Sequence, residues 1–235
     1  MDILQWLIGK KCKKVQSFGS LSHFIAKNAP VNSPDYCIDG CPEGERCPYN
    51  AVKIYFDDKR NDWFRSACTK EANPTDEQVE QALRTTQYGK CAYKCDNDVV
   101  DHQTINMLFD DEITVTFTMN AFNKGGRFIH IMGTKGELRA ALDGESPITL
   151  YDFESKHTSE IALTAGDGIS HGHGGGDEGL IHSLYEFLRG TYTGNSISDI
   201  ATSVDSHMIA FAAELARTTE TIVDLDEYIS GFVKS

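Results

Sequence analysis

A chain of 235 residues with a formal net charge of −13 and a pI near 5.0 is long enough to bury a sizeable core, and its charge has the wrong sign for nucleic acid or an anionic membrane surface. Hydrophobic content of 40% and charged content of 24% are those of an ordinary globular protein. No apolar run approaches the about 18 residues that a bilayer crossing needs, and the N-terminus lacks the regions of a secretory signal, so the cytoplasm is the expected location.

The chain opens on an amphipathic helix already under way. Ile3, Leu4, Leu7 and Ile8 share one face, and Gly9 supplies a stop. An uncapped apolar helix at this position is the pattern expected of a piece of a larger protein, because free termini tend to be polar and loosely held. Lys10 to Lys14 form a basic loop, and Val15 to Ser22 alternates as a strand. Residues 26–50 hold Pro30, Pro34, Pro42 and Pro48 together with Cys37, Cys41 and Cys47. Irregular excursions of this length are functional or are stapled by something. A short helix over 51–56 follows, then a longer one over 76–86 entered through Pro74-Thr75.

The middle of the chain is a meander. Ile105, Met107 and Phe109 alternate with smaller or polar neighbours, Asp110-Asp111 makes a turn, and Ile113, Val115, Phe117 and Met119 then share a face opposite Thr114, Thr116 and Thr118. Further strands are predicted over 127–132, 137–141, 148–153 and 159–164, joined by short turns that favour antiparallel pairing. Leu180, Ile181, Leu184, Phe187 and Leu188 mark a helix that stops at Gly190. Ile200, Val204, Met208, Phe211 and Leu215 mark a second, with Ser196 or Ser198 as its cap and Asp199 in its first turn. The pattern is α+β: an open, mainly antiparallel meander sheet with helices packed on one face, in one domain spanning 1–235 with the irregular excursion at about 26–50.

Asp2 to Gly9, Ser17-Phe18-Gly19-Ser20-Leu21-Ser22-His23-Phe24, Asn28-Ala29-Pro30 and Ile131-Met132-Gly133-Thr134-Lys135-Gly136-Glu137-Leu138 occur in an order and spacing that resemble the C-terminal domain of the Gfo/Idh/MocA oxidoreductases. With the meander and closing helices, the resemblance covers nearly the whole chain. It implies a two-domain parent enzyme whose N-terminal Rossmann domain binds NAD or NADP. The C-terminal domain then supplies part of the substrate pocket and the oligomer interface. The parent's reaction would be hydride transfer at a hydroxyl-bearing carbon of a sugar or cyclitol. The family's Glu-Lys-Pro motif has no counterpart here, and its Asp-x-x-x-His pair belongs ahead of the opening helix, with Asp2 matching the acidic residue three positions after that His. The resemblance therefore implies no Rossmann domain, no catalytic residue and no cofactor-binding residue in this chain, and no turnover from it alone.

The stretch Gly174 to Gly179 matches the glycine pattern of a dinucleotide fingerprint, but no strand ends at its first glycine, and Asp177 and Glu178 would repel a phosphate. His171, His173 and Asp177 on this segment are instead candidates for hydrogen bonding a polyol, set against a plain loop with Asp177 as a cap. His23 and Asn28 are the other substrate-binding candidates, with a plain surface histidine as the alternative. Seven cysteines, an odd count without an export signal, read as reduced thiols. Cys37, Cys41 and Cys47 allow a zinc site, which would need a fourth ligand from Cys68, Cys91, Cys95 or a histidine; they lack C-x2-C pairs, and free thiols are the preferred reading. Cys91 and Cys95 would share a face if they lay on a strand. The threonine face at 114–118 is too β-branched and too weakly charged for an ideal solvent face, which points to a homodimer or higher oligomer paired through the sheet. The rival to a dehydrogenase half is a stand-alone binding or scaffold protein that kept this fold.

Overall fold

The computed structural model describes residues 1–58, 62–143, 146–162, 176–194 and 199–233. They fall into two compact units, Lys13–Phe122 with Ala212–Ser235, and Met1–Cys12 with Asn123–Phe211.

The first unit is built on a four-stranded sheet in the order β3-β2-β1-β8, formed by β1 (Cys12–Ser20), β2 (His102–Phe109), β3 (Thr114–Asn120) and the two-residue β8 (Val223–Asp224). The expected hairpin is present. Ile105 pairs with Phe117 and Met107 with Val115 in an antiparallel ladder, across a tight turn at Asp110–Glu112. Strand alternation then sorts the two faces. Val15, Ser17, Ile105, Met107 and Phe109 are buried, as are Ala212, Ala213 and Ala216 on the second half of α5 (Ile200–Thr219) and Leu225 at the start of α6 (Leu225–Val233). The opposite face carries the exposed Thr114, Thr116 and Thr118, and a polar ladder runs across it from Thr116 to Asn106 (3.0 Å) and on to Gln16 (3.5 Å).

Between β1 and β2 lies a segment with no strand of its own among the described residues. Its helical part comprises a π-helical turn at Val52–Asp57, α2 (Asp62–Thr69) and α3 (Asp76–Thr85) around a small core of Ala51, Cys68, Val79, Ala82 and Leu83. Thr75 caps α3 reciprocally with Gln78, as its Pro-Thr entry predicts. The predicted helix over 51–56 is a π-turn, and α2 has no counterpart in the sequence-based reading. Buried Arg65 joins these pieces by donating to the carbonyl of Phe56 (3.3 Å) and to Asp76 Oδ1 (2.6 Å). Cys91 and Cys95 lie in a turn rather than on a strand, which removes the shared-face reading of that pair.

The second unit holds a four-stranded antiparallel meander, β4 (Phe128–Met132), β5 (Gly136–Ala141), β6 (Ile148–Asp152) and β7 (His157–Ile161). The strands predicted as one sheet thus belong to two, divided after β3. The register places Ile129, Ile131, Leu138, Leu150 and Ile161 on one face and His130, Glu137 and Arg139 on the other, where His130 lies 3.1 Å from Glu137. Among the described residues, two helices lie wholly in this unit, α1 (Asp2–Ile8) and α4 (Gly176–Leu188). They end at Gly9 (φ 64°) and Gly190 (φ 70°), the left-handed conformation for which glycine serves as a stop. Asp199 Oδ1 accepts from Thr202 N (2.7 Å) at the entry to α5, which makes Asp199 the capping side chain; Ser196 and Ser198 lie outside the described residues. No helix among the described residues is long and apolar enough to cross a membrane.

A Cβ added at Gly89 would lie 1.7 Å from the carbonyl oxygen of Leu83, the closest approach at any described glycine. Gly89→Ala is expected to pry the 87–89 turn from the end of α3 and to destabilise the protein by about 3 kcal/mol. A urea midpoint equal to that of the parent chain would contradict this.

Candidate functional site

The candidate site grows from the end of β1. Past Ser20 the chain turns sharply through Ser22, His23 and Phe24, leaving three consecutive backbone N–H groups with no strand or helix to receive them. Asp101, the residue before β2, receives all three. Its Oδ2 accepts from Ser22 N (3.0 Å), His23 N (2.7 Å) and Phe24 N (3.3 Å), while Oδ1 lies 2.8 Å from His102 Nδ1. The Asp101 side chain is 2% exposed. Burial alone would raise its pKa, yet the hydrogen bonds from His23, His102, Ser22 and Phe24 outweigh that and hold the carboxyl far below the ordinary carboxylate range. The facing Nδ1 of His102 acts as a donor, which sets the tautomer of that ring.

The turn so fixed presents His23. Its Nε2 lies 3.2 Å from the hydroxyl of Tyr93, and its ring meets those of Phe24, Tyr49, Tyr93 and Phe122 at centroid distances of 5.0, 5.8, 5.2 and 5.1 Å. All four contacts are edge-on, the arrangement that ring quadrupoles favour. Burial pushes the Tyr93 phenol up, so it stays protonated at neutral pH. Asn28 spends its amide on the carbonyls of Ser22 and His23, both at 2.9 Å. Of the sequence candidates, His23 and Asn28 therefore belong to one constellation, with Asn28 positioning the turn. Asp177 sits in the first turn of α4 in the other unit, and His171 and His173 lie outside the described residues. Asp101, Tyr49, Tyr93 and Phe122 escape sequence reasoning, although the adjacent Asp101-His102 at a strand entry was a legible polar pair.

A carboxylate held ionised, a phenol held protonated and two imidazoles, one walled by aromatic rings, make a set suited to holding and orienting a hydroxyl-bearing ligand. None of these groups is a nucleophile paired with a base.

Behind the aromatic cluster, Cys37, Cys41, Cys47 and Cys91 line a cavity of about 10 Å³, with Tyr49 and Tyr93 forming its boundary toward His23. None of the seven cysteines is joined to another by a disulfide. Burial pushes the Cys37 thiol up, against an opposing hydrogen bond from the backbone of Ala51. Among the described residues, no group of three or more His, Cys, Asp or Glu side chains stands in a metal-holding arrangement.

Asp101→Asn keeps the shape but removes the charge that three N–H groups and an imidazole share, and is expected to cost about 3 kcal/mol at neutral pH. Because the folded-state pKa is depressed, the carboxylate's contribution is complete above its unfolded value of about 3.9 and is lost as the pH falls below it toward the folded value. The difference in urea stability between parent and variant should therefore hold from pH 7 to pH 5 and shrink by pH 3. A difference independent of pH would show that the charge is not what holds the turn.

No protein-family model matches the chain, and no curated protein matches it. Solved structures do. The transcriptional regulator Gal80p from Kluyveromyces lactis overlaps with a TM-score of 0.54 at 14% identity, over 96% of this chain and 43% of its own. An oxidoreductase domain protein from Kribbella flavida gives 0.53 at 12% identity, over 95% and 47%, and a putative NADPH-dependent oxidoreductase from Desulfitobacterium hafniense gives 0.51 at 13% identity, over 96% and 45%. The chain thus spans a little under half the length of the structures it matches. Its fold is that of the C-terminal domain of Gfo/Idh/MocA-type oxidoreductases.

Proposed function

We propose that this chain is the substrate-side half of an NAD(P)-dependent oxidoreductase acting on a hydroxyl-bearing substrate such as a sugar or cyclitol, and that it works in the cytoplasm. The observation that carries this reading is the overlap with about 45% of two solved oxidoreductases across 95–96% of this chain. In this reading the His23 turn is the wall of the substrate pocket. The imidazole and the Tyr93 hydroxyl hydrogen bond the substrate, and the half-exposed Phe122 offers a ring edge to its C–H face. Hydride transfer and the proton that accompanies it belong to a nucleotide-binding domain supplied elsewhere. The exposed threonine ladder of the first unit, with Phe18 beside it, pairs with the same face of a second copy.

A second reading rests on Gal80p, a transcriptional regulator whose structure overlaps this chain as well as the oxidoreductases do. In that reading the chain is a non-catalytic binding or scaffold protein with this fold, and the His23 site recognises a ligand without transforming it.

The isolated chain should show no binding of NAD(H) or NADP(H) by calorimetry at ligand concentrations up to about 1 mM. Micromolar affinity would overturn the division of labour. The natural product in its source cells should run well above 26.0 kDa, by at least one further domain; a band at 26.0 kDa would move the binding reading to first place. Sedimentation should return about twice the 26.0 kDa chain mass at micromolar concentration, and Thr116→Lys should return the monomer.

A further inference from the structure

We propose that Cys37, Cys41, Cys47 and Cys91 form a four-thiolate site for a single zinc ion at the back of the His23 cluster. Three of these cysteines belong to one loop, but the fourth arrives from 44 positions along the chain, and nothing in local sequence spacing brings it there. The fold does. Tyr36 and Lys90 form an isolated antiparallel bridge, Cys91 N donates to Asp35 O (2.8 Å), and Lys94 Nζ reaches Ser33 O and Asp35 Oδ1. These ties hold Cys37 and Cys91 on facing segments. Asn50, itself buried, fixes the loop between Cys41 and Cys47 by donating to Gly44 O (3.0 Å).

The size of the cavity selects the ligand. About 10 Å³ is room for a single small guest, which suits a mononuclear ion. The donor set selects it further. Four sulfurs favour zinc over calcium or magnesium, and two of the acidic residues between them face other partners, Asp39 with Arg84 (3.7 Å) and Glu45 with Lys53 (3.9 Å). The backbone hydrogen bond that Ala51 directs at Cys37 is the kind of outer contact that stabilises a ligating thiolate. The remaining three cysteines are outside the cavity lining: Cys12 begins β1, Cys68 donates to Arg65 O inside the helical core, and Cys95 donates to Cys91 O. As they stand the thiols line the cavity without converging on a common point. Ligation turns them inward, and each sulfur gives its proton to solvent as it binds, so one Zn²⁺ replaces four protons.

The full chain, produced in zinc-supplemented medium and desalted, should hold about one zinc per chain by elemental analysis. Native thiol titration with an aromatic disulfide should find four fewer reactive cysteines than after chelator treatment, and cobalt substitution should give the thiolate charge-transfer and tetrahedral d–d bands. Cys91→Ser should lose the metal, whereas Cys95→Ser, four residues away, should keep it. If Cys91→Ser does not fold, the thiol titration and cobalt spectrum of the parent chain still decide the matter. Zinc below about a tenth of an equivalent after loading, or equal thiol titres with and without chelator, overturns the proposal. None of these readouts depends on oxidoreductase activity.

Discussion

The structure around the candidate site depends on one buried charge. Asp101 carries a full negative charge at a position 2% exposed, where an unpaired carboxylate would be prohibitively costly. It is tolerated because the turn at Ser22–Phe24 offers three N–H groups in succession and His102 adds a fourth donor. The dependence runs in both directions. Without the carboxylate those half-buried N–H groups lose their shared acceptor, and without the turn the carboxylate is a bare charge. Each half is unstable alone and the pair is stable together, so the turn has one conformation, and His23 inherits its placement from that.

Placement passes outward from His23 through ring contacts. Phe24, Tyr49, Tyr93 and Phe122 come from four separate stretches of chain and meet edge-on around one imidazole. Tyr49 and Tyr93 come from the segment between β1 and β2, where backbone order has few regular hydrogen bonds behind it. Residues 21–50 form only two short 3-10 turns, and the buried positions there, Ser33, Gly44 and Asn50, contribute little apolar area. Fixing about 30 residues without helix or sheet costs more conformational entropy than so small a buried surface returns. Specific ties make up the difference: the Tyr36–Lys90 bridge, the Cys91 N to Asp35 O hydrogen bond, and the Lys94 contacts to Ser33 and Asp35.

Those origins explain what the sequence reveals. The hairpin over 105–119 was legible because a half-buried strand must alternate and a tight turn needs Asp110 and Asp111. Gly9 and Gly190 announced helix ends because only glycine enters the left-handed region freely. By contrast, α2 was missed because its buried anchor is Arg65, which reads as surface, and β8 because two residues carry no period. His23 and Asn28 stand out as candidates by resemblance; Asp101 does not, since its one signal in the sequence is the adjacent His102 at a strand entry. Cys91 was one of several choices for a fourth thiol, because its meeting with Cys37 is set by pairing between distant segments, and spacing encodes only local geometry.

A fold shared by oxidoreductases and a transcriptional regulator does not itself specify chemistry. What the His23 site contributes is selective in a different way. On the proposed reading, a hydroxyl ligand would meet an imidazole and a protonated phenol whose positions are fixed before it arrives, so little ordering entropy would remain to oppose binding. An ionised Asp101 with all its hydrogen-bond partners in place is a poor proton acceptor, and a phenol whose pKa burial has raised is a poor donor of its proton. Both groups are tuned away from transferring protons at neutral pH. On the proposed reading, that tuning suits Asp101 and Tyr93 to fixing and recognising a ligand rather than to exchanging protons with it.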